Sequence, residues 1–295
     1  MLKIGIVGTG YFGEIHIKVL LKLKGIFKII GFFDINKTKC KKISKKYNIP
    51  LLKLEQLIKD SDIVSITSKT NTHFELIKLS LKSKKHVFVE KPICETLKEI
   101  KILKNLKKSL KTHIQVGFIE RFNPAFISLS SVKFKAKHIK SIRSTLLLNR
   151  NKNNSIVQDL MIHDIDIINT FIDSSPKSIN IIKKKKNHIS CNINFKNGCV
   201  AELISERTNS KRKQLERKMI IETDDRREII IDFLKQETKV KAENSISYLK
   251  TKKINQLEEE LKYLHECIIN KKENKISLNA AEKCSIIMEK IEKKS

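Results

Sequence analysis

The chain contains no tryptophan, only 8 glycines and 4 prolines, and 6% aromatic residues in 295. So little Gly and Pro excludes collagen-like and linker-like classes. The 40% apolar content excludes a largely disordered chain. Length and composition allow two domains or one large one. No apolar run approaches the ~18 residues of a spanning helix. Met1-Leu2-Lys3-Ile4-Gly5-Ile6-Val7 enters a strand pattern directly, without the features of a signal peptide. The expectation is a cytoplasmic protein with no membrane partner.

Metal-ligand spacing is also missing. Cys40, Cys94, Cys191, Cys199, Cys267 and Cys284 form no CxxC or Cys/His pattern, so no metal is expected and the thiols read as reduced. Asn197-Gly198 reads as a two-residue hairpin turn between Ile189–Phe195 and Cys199–Ser205. That register sets Cys191 opposite Ile204 and keeps the two thiols apart.

What is abundant is lysine. Of 61 basic residues against 32 acidic ones, 8 are arginines and 53 lysines, giving a formal charge of +29. A basic surface of this size invites a nucleic-acid reading. The charge is spread evenly, however: residues 1–120 hold 25 lysines and 10 acids, and residues 121–295 hold 36 basic and 22 acidic residues. Lys, Ile and Asn crowding without Trp fits a compositional bias, and few aromatics interleave with the lysines. No nucleic-acid partner is expected. The local clusters Lys183–Lys186 and Lys211-Arg212-Lys213 with Arg217-Lys218 read as solvated faces, with a diphosphate contact as the alternative.

Residues 1–121 alternate strand and helix patterns. Apolar runs at Leu2–Val7, Phe27–Phe33, Ile63–Ile66, His86–Val89 and His113–Val116 are separated by helical spacing over Glu14–Leu23, Thr38–Tyr47, Phe74–Ser83 and Leu97–Leu110. This predicts an α/β Rossmann domain with a parallel sheet. Residues 122–295 read as an α+β domain with a mainly antiparallel, open-faced sheet. Strand patterns lie at Ser141–Leu148, Ser178–Lys183, the hairpin, Lys218–Glu222 and Glu228–Phe233. Helices are predicted at Ile156–Ile172, Leu257–Asn270 and Ala280–Lys290.

Gly8-Thr9-Gly10-Tyr11-Phe12-Gly13 joins the first strand to the first helix, and Asp34 ends the second strand. That context makes GxGxxG a dinucleotide fingerprint. Gly8 permits the turn, Gly10 the approach of a pyrophosphate and Gly13 close helix packing. Asp34 accepts from the ribose and repels a 2′-phosphate, favouring NAD over NADP, while Lys37 and Lys39 soften that preference.

Further motifs follow later strands: Thr67-Ser68-Lys69-Thr70-Asn71-Thr72-His73, Glu90-Lys91-Pro92, Gly117 through Pro124, and Asp159-Leu160-Met161-Ile162-His163-Asp164-Ile165-Asp166. With the glycine loop, these resemble the Gfo/Idh/MocA family of sugar oxidoreductases. The resemblance covers essentially the whole chain. It implies hydride transfer between a sugar ring hydroxyl and NAD, with Lys91, Asp159 and His163 catalytic. Tyr11, Phe12, Thr67, Ser68, Asn71, His73, Glu90 and Lys91 would join Gly8, Thr9, Gly10, Gly13 and Asp34 at the cofactor. Arg121 and Asn123 would join Lys91, Asp159 and His163 at the substrate.

The chemistry is consistent with that assignment. Oxidising a secondary alcohol requires a base within reach of the hydroxyl, and a desolvated lysine near a positive ring has a lowered pKa. Asp159 and His163, four apart on a predicted helix, share a face, and Asp166 continues it. Met161 stands where the family often has Gly, so the start of this helix departs from the inositol and glucose enzymes. The wording is similar to a branch acting on nucleotide sugars such as a UDP-N-acetylhexosamine. An inositol or simple-sugar dehydrogenase and a non-catalytic sensor on the same fold are the alternatives. The resemblance also implies a homodimer or homotetramer.

Overall fold

The structure is a computed structural model that describes residues 1–148, 152, 154–209 and 215–294. It divides into two compact units, Met1–Phe118 with Asn255–Glu282, and Ile119–Ile254 with Lys283–Ser295.

In the first unit β1 (Leu2–Val7), β2 (Phe27–Phe33), β3 (Ile63–Ile66), β4 (His86–Val89) and β5 (Ile114–Val116) form a parallel sheet ordered β2-β1-β3-β4-β5. Strand order reverses between β1 and β3, the point where ligands bind in such sheets. Ile4, Ile6, Ile63, Val64, Val87 and Phe88 are fully buried because helices cover both faces. The connecting helices are α1 (Tyr11–Lys22), α2 (Lys37–Tyr47), α3 (Leu54–Asp60), α4 (His73–Lys82) and α5 (Leu97–Lys107). α3 escapes the sequence reading: it has seven residues and no side-chain cap.

The expected single boundary after residue 121 is replaced by a chain that leaves the first unit and returns. Helix α8 (Gln256–Ile269) buries Leu257, Leu261 and Leu264, and His265 meets the Phe27 ring edge-on at 5.6 Å. The Val116 amide donates to Ile276 O at 2.9 Å, and Gln115 Nε2 to Glu260 O at 2.7 Å. The returning segment thus covers the β5 edge, which would otherwise expose unpaired main-chain groups.

The second unit opens with α6 (Pro124–Ile127) and β6 (Ala136–Leu146), followed by α7 (Ile162–Phe171), β7 (Pro176–Lys185), β8 (His188–Phe195), β9 (Val200–Thr208), β10 (Arg217–Thr223), β11 (Glu228–Asp232), β12 (Glu237–Ala242) and β13 (Ser245–Tyr248). The chain closes with α8 (Gln256–Ile269) and α9 (Leu278–Lys294). Its sheet runs β13-β12-β11-β10-β6-β9-β8-β7, antiparallel except at the β6–β9 pair. One face carries the buried Ile139, Cys191, Leu203, Met219 and Ile231, while Ile142, Ile204, Ile220 and Ile230 on the other are partly exposed.

The β8–β9 hairpin differs from expectation by one residue. Cys191 faces Leu203, not Ile204, because three residues rather than two cross between Phe195 and Cys199. Gly198, at φ +89°, takes the left-handed position that closes such a loop. The two thiols remain apart, as expected.

Candidate active site

The glycine loop is built by main-chain proximity. Gly8 has φ +93°, and a Cβ there would lie 2.6 Å from the Ser68 amide; one on Gly13 would lie 2.1 Å from Gly8 O. Neither clash can be relieved by a side chain moving. At Gly10 a Cβ would meet nothing within 4 Å. Gly10 is also the N-cap of α1 and brings no side chain to the start of the helix. That is what a pyrophosphate requires, and the loop fits a dinucleotide. Tyr11 and Phe12, exposed, stand edge to face at 5.4 Å beside it.

Asp34 is fixed at the end of β2. Its Oδ2 accepts from the Thr9 amide at 2.6 Å and the Thr9 hydroxyl at 2.9 Å, and its Oδ1 from the Asn36 amide at 2.9 Å. Partial burial pushes the carboxyl up, but these hydrogen bonds and Lys39 outweigh it and hold the pKa below the usual range. Ile35 next to it is 90% exposed. Motif reading misses this apolar side chain displayed beside the Asp34 carboxylate; its only sequence signal is one Ile in a polar turn.

The loops after β3 and β4 are braced from below. Thr67 Oγ1 donates to Gly8 O at 2.6 Å, and Ser68 Oγ bonds Thr72 Oγ1 at 2.7 Å. Asn71 lies exposed in the following turn. His73 is 1% exposed, with Nδ1 2.9 Å from Pro92 O and Nε2 3.1 Å from Ser68 O. It therefore ties the two loops together. Burial pushes its pKa down against the pull of those carbonyls. Glu90 Oε1 meets Nε2 of the buried His16 on α1 at 3.0 Å. Lys91 follows, half-buried, ahead of a cis peptide to Pro92.

In the second unit arginines organise the site. Arg143, on β6, engages Asp164 through Nε and Nη2, both at 2.9 Å, and Glu120 through Nη1 at 2.8 Å. Burial opposes its charge, yet the two carboxylates raise its pKa. Arg121 forms a two-pronged pair with the buried Asp166 at 2.7 and 2.6 Å. That fork engages a core carboxylate of the same unit. Asn123 is bonded within that unit as well: Nδ2 donates to Glu120 Oε2 and Phe233 O, and Oδ1 accepts the Ala125 amide.

Asp159 sits in a π-helical turn, Val157–Met161, that leads into α7, where His163 lies in the first turn. Such wide turns often occur at functional sites. Asp159 Oδ2 accepts from Nη2 of Arg207 on β9 at 2.9 Å, and Arg207 Nη1 donates to Asn154 O at 2.9 Å. Sequence reasoning missed Arg143 and Arg207 because their partners lie tens of residues away; the available signal was arginine retained in a chain that otherwise uses lysine. The cluster Lys211–Lys213 lies outside the described residues, and Lys183–Lys186 are exposed.

A parallel sheet ordered β2-β1-β3-β4-β5 with a glycine turn after β1 is the architecture of a Rossmann domain. Residues 2–118 match the family described as oxidoreductase family, NAD-binding Rossmann fold. It is 25% identical over 213 residues to UDP-N-acetylglucosamine 3-dehydrogenase of Acidithiobacillus ferrooxidans, covering 70% of this chain and 67% of that one. The solved structure of the A. ferrooxidans enzyme superposes with a TM-score of 0.92 at 20% identity, covering 99% of this chain and 97% of that one, which establishes the two-unit fold. The chain is 28% identical over 207 residues to inositol 2-dehydrogenase/D-chiro-inositol 3-dehydrogenase of Halalkalibacterium halodurans, spanning 63% of this chain and 57% of that protein.

Proposed function

We propose that the protein is an NAD-dependent dehydrogenase acting on a ring hydroxyl of a nucleotide sugar, a UDP-N-acetylhexosamine. The observation that carries this reading is that the open glycine turn, the fixed Asp34 carboxylate and Lys91 follow β1, β2 and β4 of one sheet. A bound dinucleotide would supply hydride acceptance. Gly8, Gly10 and Gly13 with the α1 amides would hold its phosphates, and Asp34 with Ile35 would hold its adenosine end.

In this reading Lys91 and His163 manage the proton. The base takes it from the sugar hydroxyl as the carbon gives up its hydride, so a ketone, a reduced cofactor and a proton result. Asp159, held by Arg207, lies in the turn that leads to His163. The nucleotide-sugar substrate is favoured by the relative that matches over most of this chain. An inositol substrate is the second reading, favoured by the 28% identity to the inositol enzyme. Self-association through the open sheet face is part of the proposal, supported by the partly exposed Ile142, Ile204, Ile220 and Ile230.

The test is incubation of the protein with NAD and, separately, UDP-N-acetylglucosamine, UDP-N-acetylgalactosamine, myo-inositol and glucose, following reduced-cofactor absorbance. Turnover with the UDP-sugars is expected. Turnover with inositol alone selects the second reading, and cofactor binding with no turnover on the panel contradicts both.

A further inference from the structure

We propose that Thr9 is a specificity-determining residue for the cofactor, locking Asp34 in the position that accepts a ribose hydroxyl and refuses a 2′-phosphate. The inference rests on the NAD reading above and goes beyond it, because it assigns the discrimination to a side chain in the variable position of the glycine motif.

An aspartate at a strand end is free to change rotamer. With Lys37 and Lys39 exposed on the adjoining helix, a mobile Asp34 would swing aside and leave those ammonium groups to meet a phosphate. The structure removes that freedom from several directions. Thr9, 4% exposed, donates both its amide and its hydroxyl to Oδ2. The Asn36 amide holds Oδ1, and the Cys40 thiol lies 3.3 Å from Asp34 O. The turn itself is tied to β2 by the Gly8 amide donating to Phe33 O at 2.8 Å.

This arrangement also sets how the ribose is read. A carboxylate offers about four lone-pair directions. Two donors meet Oδ2 and one meets Oδ1, which leaves the open direction on Oδ1. Asn36 does not supply an alternative, because its side-chain oxygen accepts the Lys39 amide and caps α2. One hydroxyl of the ribose therefore finds an acceptor, and a phosphate in its place finds a fixed negative charge. Of the two groups Thr9 contributes, the amide belongs to any residue at this position; the hydroxyl belongs to Thr or Ser.

Calorimetric titration of NAD and of NADP into the purified full chain tests this, with wild type, Thr9→Val and Thr9→Ser compared. Wild type is expected to bind NAD more tightly. Removing one hydrogen bond to a charged group in Thr9→Val is expected to lower the NADP-to-NAD Kd ratio by about fivefold or more, and Thr9→Ser to keep it within about twofold. A ratio unchanged in a folded Thr9→Val, against an NAD-preferring wild type, overturns the role of Thr9 alone. A wild type that prefers NADP overturns the NAD reading on which it rests. Should Thr9→Val fail to fold, Thr9→Ala removes the same hydroxyl with less volume and is held to the same two outcomes.

Discussion

The first unit contains no arginine, and the second contains all eight. Lysine outnumbers arginine heavily throughout the chain, so arginine persists where a planar fork does what an ammonium cannot. In the first unit the site is made by the main chain: a left-handed glycine, helix amides and carbonyls braced by Thr67 and His73. In the second, four arginines, Arg121, Arg143, Arg207 and Arg217, face Glu120, Asp159, Asp164 and Asp166. That cluster is charge-balanced. It supports α7 and the π-turn without itself attracting an anion, and the +29 of the whole chain says nothing about it.

The largest expected effect breaks the second mode of construction. Arg143→Met leaves Asp164 buried without its cation and Glu120 with only Arg217 at 3.9 Å, and is expected to cost about 3–5 kcal/mol in urea unfolding. A cost no larger than that of a surface substitution would show that the network is dispensable.

Next come two glycines that separate scaffold from ligand space in the first unit. Gly13→Ala forces its Cβ against Gly8 O and is expected to lower stability by about 2–3 kcal/mol. Gly10→Ala is expected to change stability by no more than about 1 kcal/mol, while calorimetry shows NAD binding weakened about tenfold. If both substitutions affected only stability, the open space at Gly10 would not be a ligand site.

The smallest effect concerns the other end of the same strands, where His86 and His113 stack at 5.4 Å. Burial, then the neighbouring His113, push the His86 pKa down to about 4, Lys107 adding to the effect and Asp62 opposing it. The unfolded chain takes up this proton near pH 6.5, the folded chain only near 4, so stability present above 6.5 is lost as pH falls through that interval. His86→Asn keeps an acceptor for the His113 amide, which donates to Nδ1 at 2.9 Å. It is expected to flatten the fall in Tm between neutral and acid pH by roughly 2 kcal/mol equivalent, discounted for partial exposure. An unchanged slope would place the acid sensitivity on His73 or His265 instead.

The same contrast explains what the sequence made legible. β1 to β4 fall at the expected bounds because buried parallel strands are continuous apolar runs. The glycine turn with Asp34 was readable because its parts lie on consecutive elements. β13, with all four residues exposed, carries no alternation to read, and β12 buries only Thr238 and Val240, one of them polar, so its apolar signal is weak. The hairpin register turned on whether Gly198 closed a two- or three-residue loop, a backbone choice that the dipeptide alone does not decide. The return of α8 to the first unit, and the pairs of Arg143 with Asp164 and Arg207 with Asp159, depend on contacts between distant segments. No local pattern encodes those pairs. Arg121 with Asp166, and Asn123 with Phe233, are pairs of the same kind that the motif's wording does not reveal.

The proposal that Lys91 handles the proton while the backbone-built loop holds the cofactor is tested most directly by Lys91→Ala. With the preferred sugar and NAD, kcat is expected to fall by about 100-fold or more, as removal of a general base requires, while the NAD Kd measured by calorimetry stays close to wild type. Turnover at a near wild-type rate would contradict the account.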